Sequence, residues 1–88
     1  MAMAAEALAD IKGYAAAGRI RVTMHAEQRM AQRGVQFADV LAAIRSAVTC
    51  RQSKDASNRW IVEGRDRDGD DLAVCCAIEQ GVVVITVF

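Results

Sequence analysis

The sequence predicts an α+β domain in which two to three N-terminal helices pack on one face of a four-stranded, mainly antiparallel sheet. Apolar residues recur at helical spacing in the first half of the chain. In the second half, short apolar runs alternate with glycine-containing turns. Helices followed by an antiparallel meander are typical of an α+β domain. The 88 residues are enough for one such domain with a small core.

We divide the chain into an alanine-rich N-terminal helix, residues 1–18, and a single α+β domain, residues 19–88. The first helix should extend from about Ala4 to Ala17 and end at Gly18. Its alanine content favours helix formation but offers few large side chains to the core. An extended piece, "RIRVT", follows it.

Two further helices are predicted before the sheet. The second begins near Met24, with Thr23 as the N-cap, and ends at Gly34. The third lies in "VQFADVLAAIRSAV", where apolar residues are spaced as on one side of a helix. These residues are Phe37, Val40, Leu41, Ile44 and Val48.

The positions of the strands are predicted from the turns between them. "RWIVEGRDR" and "DLAVCCAIE" flank the acidic segment "DRDGDD", whose Asp-Gly pair predicts a hairpin. A second tight turn at Gln80 and Gly81 precedes "VVVITVF", which is apolar on both faces and should be a covered strand. Residues around Val48 to Gln52 are a candidate for one more strand.

Charge is balanced overall but not along the chain. Eleven basic and eleven acidic residues cancel, which argues against a general nucleic-acid binder that relies on bulk charge. Residues 19–59, however, carry eight Lys or Arg against three acidic residues. This middle segment predicts a local basic face, which suits a small anionic target better than long duplex DNA.

Several classes of protein and site are disfavoured. No apolar run approaches the ~20 residues of a membrane helix, and no leader with a cleavage site is recognisable, so no membrane partner is expected. An odd count of three cysteines predicts a reduced, cytoplasmic setting. Cys75 and Cys76 are strand neighbours that point to opposite faces, and "DRDGDD" lacks the spacing of a calcium loop. Neither a metal nor another cofactor is therefore expected.

The stretch "MHAEQRMAQRG" contains the only histidine of the chain. On a helix, His25, Arg29 and Arg33 fall at about 0, 40 and 80°, so they form one basic strip beside the apolar side. Spacing alone leaves two interpretations open: a solvated helix edge, or a site that directs guanidinium groups at phosphate. Trp60 has the same two alternatives, filling the core or stacking on a base.

Five segments together resemble a known family, the one called domain of unknown function 4258. They are "MHAEQRMAQRGV", "FADVLAAI", "RWIVEG", "DGDDLAVCC" and "VVVITVF". The resemblance covers roughly residues 19–88, and the histidine–arginine–arginine helix and the terminal "ITVF" are its most specific parts.

Members of this family are similar in layout to the small RNases of toxin–antitoxin systems, of the RelE and barnase kind. The resemblance implies metal-free RNA cleavage, with His25 as general base or acid and Arg29, Arg33 and Arg59 stabilising charge on the phosphate. Arg21 and Trp60 are then the candidate substrate contacts. The implied partners are RNA and a cognate antitoxin that covers the basic surface with acidic groups.

The sequence departs from the family at one important place. Members often carry a histidine after the Asp-Gly turn, at or near the position of Ala73. Without it, a two-group mechanism needs a carboxylate such as Glu27 or Glu63. Two alternatives to a toxin-like RNase therefore stay open: a non-catalytic module that binds RNA or protein, and a structural protein that forms a homodimer through its last strand or first helix.

Overall fold

The computed structural model describes residues 3–56 and 58–88. Three helices and five strands lie within this part of the chain. In chain order they are α1 (Ala4–Ala16), β1 (Ile20–Val22), α2 (Met24–Arg33), α3 (Phe37–Ser46), β2 (Thr49–Gln52), β3 (Arg59–Arg65), β4 (Asp71–Ile78) and β5 (Val82–Val87).

The strands form one mixed sheet in the order β1-β5-β4-β3-β2. Strands β2 to β5 make the antiparallel meander, and β1 joins it as a parallel partner of β5. The predicted α+β class is confirmed, but the sheet has five strands and is mixed, not four-stranded. The difference arises because β1 has only three residues, too few to show a strand period, and pairs with residues about 60 positions later in the chain.

The helices all pack on one face of the sheet. Strand residues at alternate positions point towards them, which places Trp60, Val62, Val74 and Val84 in the core. α1, α2 and α3 bury their own apolar sides in the same core, which includes Leu8, Ile11, Ala26, Met30, Val40 and Ile44. Helix α3 lies against β3 and β4, α2 against β5, and α1 against β2.

Only part of the apolar side predicted for α3 is buried. Val40 and Ile44 are fully inside, whereas Phe37 is 42% exposed. Val48 lies beyond the end of α3 and is 86% exposed. The apolar spacing therefore predicts a helix two residues longer than α3, because Val48 matches the helical period but belongs to the link into β2.

Helix α3 lies unusually close to β3 at Gly64. A Cβ atom built on Gly64 would overlap the backbone carbonyl of Ala43. Next to this contact, the backbone N–H of Arg65 donates to Ser46 Oγ at 2.9 Å, and the Ser46 hydroxyl is 3.2 Å from the Ala43 carbonyl. The absence of a side chain at position 64 therefore sets the distance between helix and sheet.

A buried carboxylate joins the start of α3 to the turn between β3 and β4. Asp39 is 6% exposed and accepts hydrogen bonds from the backbone N–H of Gln36 at 2.9 Å and from Arg67 Nε at 3.0 Å. The hydrogen bond from the Arg67 guanidinium, followed by that from Gln36, lowers the pKa of Asp39 from its ordinary value of 3.8 to about 2. Arg67 also donates to Gln36 Oε1 at 3.0 Å, so the hairpin tip is held against α3.

We expect Gly64→Ala to destabilise the fold, because the new methyl group must push α3 away from β3. Overpacking of this kind lowers the free energy of unfolding by roughly 1–3 kcal/mol. Urea denaturation measures it. Gly13→Ala is the matched control: it lies in α1 with open space around it, and should raise the free energy of unfolding by about 0.5–1 kcal/mol. Equal stability of the two variants would contradict the close approach.

The Asp39 contact predicts a specific loss of stability in acid. Because the pKa of Asp39 is lower in the folded than in the unfolded chain, its contribution is complete at neutral pH and is lost as the pH falls through about 2. Asp39→Asn should melt at a lower temperature at neutral pH and show a shallower decline between about pH 5 and pH 2. Asp10→Asn, which changes an exposed carboxylate on α1, should follow the unmodified protein. Parallel melting curves for all three proteins would refute the assignment.

Candidate functional site

Helix α2 has a defined cap at each end, and its N-terminal end is tied to the sheet. Thr23 Oγ1 accepts a hydrogen bond from the backbone N–H of Ala26 at 3.1 Å and donates to the carbonyl of Ile85 on β5 at 3.3 Å. Gly34 ends the helix in the left-handed conformation, with φ of 66°. The predicted N-cap and helix end are both found, and the first turn of α2 is tied to the end of β5.

The basic side of α2, which we call the α2 strip, consists of His25, Arg29 and Arg33. Ala26 and Met30 anchor the helix in the core, while His25 and Arg33 are exposed and Arg29 is half-buried. None of the three side chains has a hydrogen bond or ion pair within residues 3–56 and 58–88. The α2 strip therefore presents two guanidinium groups and an imidazole that are available to an external ligand.

Arg59 and Arg21 lie on the other face of the sheet, which we call the open face because none of the three described helices packs on it. Arg59 pairs with Ala77 across the sheet, Ala77 with Val83, and Val83 with Arg21, so the four side chains form one cross-strand row. β3 is separated by β4 from the strand that α2 contacts. The structure therefore groups Arg59 with Arg21 and not with the α2 strip.

The open face contains a groove of about 550 Å³, which we call the sheet groove. Its floor is formed by side chains of β3, β4 and β5 and by the last residue. Its rim comes from β2, β3 and the loop between them. The lining residues are Arg51, Ser53, Lys54, Asp55, Arg59, Ile61, Glu63, Ala73, Cys75, Thr86 and Phe88.

The cations around the sheet groove are not equivalent. Arg51 Nε is 3.0 Å from Glu63 Oε1, an exposed pair that neutralises both groups. Lys54 and Arg59, in contrast, have no side-chain hydrogen bond or ion pair in the described part of the chain. Sequence reasoning missed Arg51 and Lys54. Strand alternation would have placed Arg51 beside Ile61 only if the β2–β3 register had been known.

Trp60 is a core residue. It is 7% exposed and packs beneath the helices, on the opposite side of β3 from Arg59. Of the two alternatives considered for it, the structure places Trp60 in the core and away from any surface where it could stack on a base.

Neither candidate carboxylate lies beside His25. Glu27 is two residues further along α2, roughly 160° around the helix from His25. Glu63 is on β3 and is paired with Arg51. Ala73, at or near the position where the family resemblance implies a histidine, lines the sheet groove between Glu63 and Phe88. The backbone N–H of Phe88 donates to the Ala73 carbonyl at 2.9 Å.

The acidic hairpin tip uses its own carboxylate to close the turn. Carboxylate oxygens of Asp66, Asp68 and Asp70 lie within 4.8 Å of one another. Asp66 Oδ1 accepts hydrogen bonds from the backbone N–H groups of Asp68 and Asp70, both at 2.9 Å. The arrangement is that of a solvated turn, in agreement with the hairpin prediction.

The three cysteines are free thiols, and the two neighbours point to opposite faces as expected. Cys76 lies in the core, where burial raises its pKa to about 12. Cys75 lies on the floor of the sheet groove, and burial raises its pKa as well. Cys50, on β2, is only partly buried, although burial raises its pKa too.

One protein family matches most of the chain, including α2, α3 and strands β2 to β5. The profile of the family described as "Domain of unknown function (DUF4258)" matches residues 22–88. The chain belongs to this family. No curated protein and no solved structure is similar enough to count as a match.

The DUF4258 match begins in β1 and runs to the last residue, so it includes the α2 strip and the whole sheet groove. Helix α1 precedes the match but packs Leu8 and Ile11 into the core of the DUF4258 domain. None of the helices that the structure describes is long and apolar enough to cross a membrane.

The burial of the cysteines predicts an order of thiol reactivity. Thiolates are the reacting species, so an aromatic disulfide reagent at neutral pH should modify Cys50 first, Cys75 more slowly and Cys76 only on unfolding. Mass spectrometry of digested protein identifies the modified residue at each time. In urea the three rates should converge. Rapid modification of Cys76 in the folded protein would show that β4 is not placed as described.

Proposed function

We propose that this DUF4258 protein binds RNA through the α2 strip and cleaves it without a metal ion, as a toxin-like RNase. The observation that carries the proposal is that His25, Arg29 and Arg33 have no side-chain partner among residues 3–56 and 58–88, on a helix whose first turn is tied to the sheet. Because the helix is already folded, binding an anion here requires ordering of the side chains but not of the backbone. Arginine is suited to phosphate because its fork of N–H donors matches two phosphate oxygens.

The proposed reaction uses the ribose 2′-hydroxyl as nucleophile. His25, in its neutral form, takes the 2′-hydroxyl proton while that oxygen attacks the adjacent phosphorus. The bond from phosphorus to the 5′-oxygen breaks, which leaves a 2′,3′-cyclic phosphate and a 5′-hydroxyl. Arg29 and Arg33 stabilise the charge that develops on the phosphate oxygens.

The leaving 5′-oxygen must receive a proton, and neither candidate carboxylate lies beside His25 to supply it. Glu27 is on another side of α2, and Glu63 is engaged with Arg51. Solvent must then supply the proton, so we expect cleavage to be slow. The same placement favours a second candidate function, in which the α2 strip binds RNA and no cleavage follows.

A toxin-like RNase needs a neutralising partner. We propose a cognate antitoxin with an acidic surface, because such a surface would pair with the α2 strip and exclude RNA from it. A cytoplasmic location would bring both proteins to cellular RNA. The alternative of a structural homodimer remains a prediction, and it requires stability that depends on protein concentration.

The proposal predicts cleavage of total RNA by the purified protein in the presence of EDTA. His25→Ala should abolish cleavage while leaving RNA affinity nearly unchanged, since imidazole acts in the chemical step. The double variant Arg29→Ala and Arg33→Ala should weaken binding and reduce the slope of log affinity against log salt by about 1 for each lost phosphate contact. Gel assays and fluorescence anisotropy measure the two effects.

Arg45→Ala is the matched control, because Arg45 is an exposed arginine on α3 whose side chain has no partner among the described residues. It should behave like the unmodified protein. Salt-sensitive binding without cleavage would support the second candidate function. RNA affinity that is insensitive to the double variant would overturn both, and a melting temperature that rises with concentration would then favour the homodimer.

A further inference from the structure

We propose that the sheet groove binds one nucleotide unit of single-stranded RNA, with its phosphate on Lys54 and Arg59 and its base over the apolar floor. The choice of RNA as ligand rests on the proposed function. The site itself is separate from the α2 strip, since it lies on the open face and shares no residue with it.

The size of the sheet groove fits a ligand of this kind. Its volume of about 550 Å³ falls within the range of roughly 300–1,000 Å³ that is usual for small-molecule sites. The floor side chains, Ile61, Ala73 and Cys75, come from adjacent strands in register, so they form a continuous apolar surface. Ile61 and Cys75 are 6% and 5% exposed, so Ala73 and Phe88 supply most of the apolar surface that a base can contact.

Two unpaired cations stand at one side of this floor. Lys54 and Arg59 have no carboxylate or carbonyl partner in the structure's described residues, whereas Arg51 is already paired with Glu63. Arg59 is held in place by its backbone, which donates to Ala56 and accepts from Ser53 N–H at 2.8 Å. A phosphate group would supply the missing charge-assisted hydrogen bonds to both cations.

The rest of the groove suits a base. Phe88, 47% exposed, offers an aromatic ring beside the floor, and stacking on aromatic rings is a common way of binding unpaired bases. The Thr86 hydroxyl and the Asp55 carboxylate have no hydrogen bond in the part of the chain described. These groups can donate to and accept from the edge of a base.

The distribution of charge favours a nucleotide over an acidic protein segment. Asp55 and Glu63 line the same groove as Lys54 and Arg59, so a run of acidic side chains would meet repulsion along part of its length. A nucleotide carries its charge at one end and is uncharged at the base, which matches the division between the cations and the apolar floor.

The sheet groove and helix α2, which carries the α2 strip, both contact strand β5. Thr23 ties the first turn of α2 to Ile85, and the next residue, Thr86, lines the groove. A single RNA strand bound by the α2 strip could therefore extend around the end of β5 into the groove. The groove would then bind a base close to the bound phosphates.

Titration of the full chain with adenosine 5′-monophosphate, followed by amide NMR spectra, tests the proposal. We expect shifts to concentrate at Arg59, Ile61, Cys75 and Thr86. The double variant Lys54→Ala and Arg59→Ala should raise the dissociation constant on the order of tenfold or more, because two charge-assisted contacts are lost. Ala73→Trp, which fills the floor without changing charge, should also prevent binding, while Arg45→Ala should bind normally.

Shifts confined to α2, or an unchanged dissociation constant in the double variant, would overturn the proposal. A glutamate-rich peptide that shifts the groove amides when the nucleotide does not would identify a protein-binding groove instead. RNA binding that depends on Arg29 and Arg33 with no nucleotide in the groove refutes this inference alone. Nucleotide binding in the groove without any effect of the α2 strip on RNA refutes the proposed function alone.

Discussion

The packing of all three helices on one face of a single sheet determines where the functional side chains of this protein lie. Strand residues alternate between two faces, and the helices cover only one of them. The covered face takes Trp60, Val62 and Val74, all of which are buried. The open face takes the residues between them, so it combines an apolar floor with charged neighbours.

This one-sided packing depends on two contacts of α3. Gly64 lets the helix backbone approach β3 closely, and the Asp39–Arg67 pair holds the start of the helix against the β3–β4 hairpin. Both contacts act on the same two strands, which also form the middle of the sheet groove. Residues on the covered face therefore hold α3 against the two strands whose opposite side lines the groove.

The sequence predicted the local features of the fold better than the distant ones. Thr23 and Gly34 mark the ends of α2 by chemistry that acts within a few residues, and the Asp-Gly turn marks the hairpin in the same way. The pairing of β1 with β5 depends on residues far apart in sequence, so no local pattern contains it. Local patterns can also mislead. Val48 fits the helical period of α3, yet it lies beyond the end of that helix and is exposed.

The same distinction between local and distant features applies to the residues of the candidate site. His25, Arg29 and Arg33 belong to one helix, and their arrangement follows from helical geometry alone. The family resemblance groups Arg59 with them, but strand alternation and sheet order place it on the open face, in the same cross-strand row as Arg21 but with two strands between them. The loop residue Lys54 lines the same groove as Arg59, and no spacing rule predicts where a loop residue lies relative to a sheet.

The position of Ala73 connects these two surfaces. A histidine at this place would stand in the sheet groove, next to Glu63 and Phe88, and not beside the imidazole of His25. Under the proposed function, the second titratable group that the resemblance implies would therefore reach RNA from the open face, and His25 from the α2 strip. In this chain alanine stands at that position, so the groove offers cations, an apolar floor and an aromatic ring but no imidazole. A proton transfer from this face would have to use a carboxylate of the groove, Asp55 or Glu63, and Glu63 is already paired with Arg51.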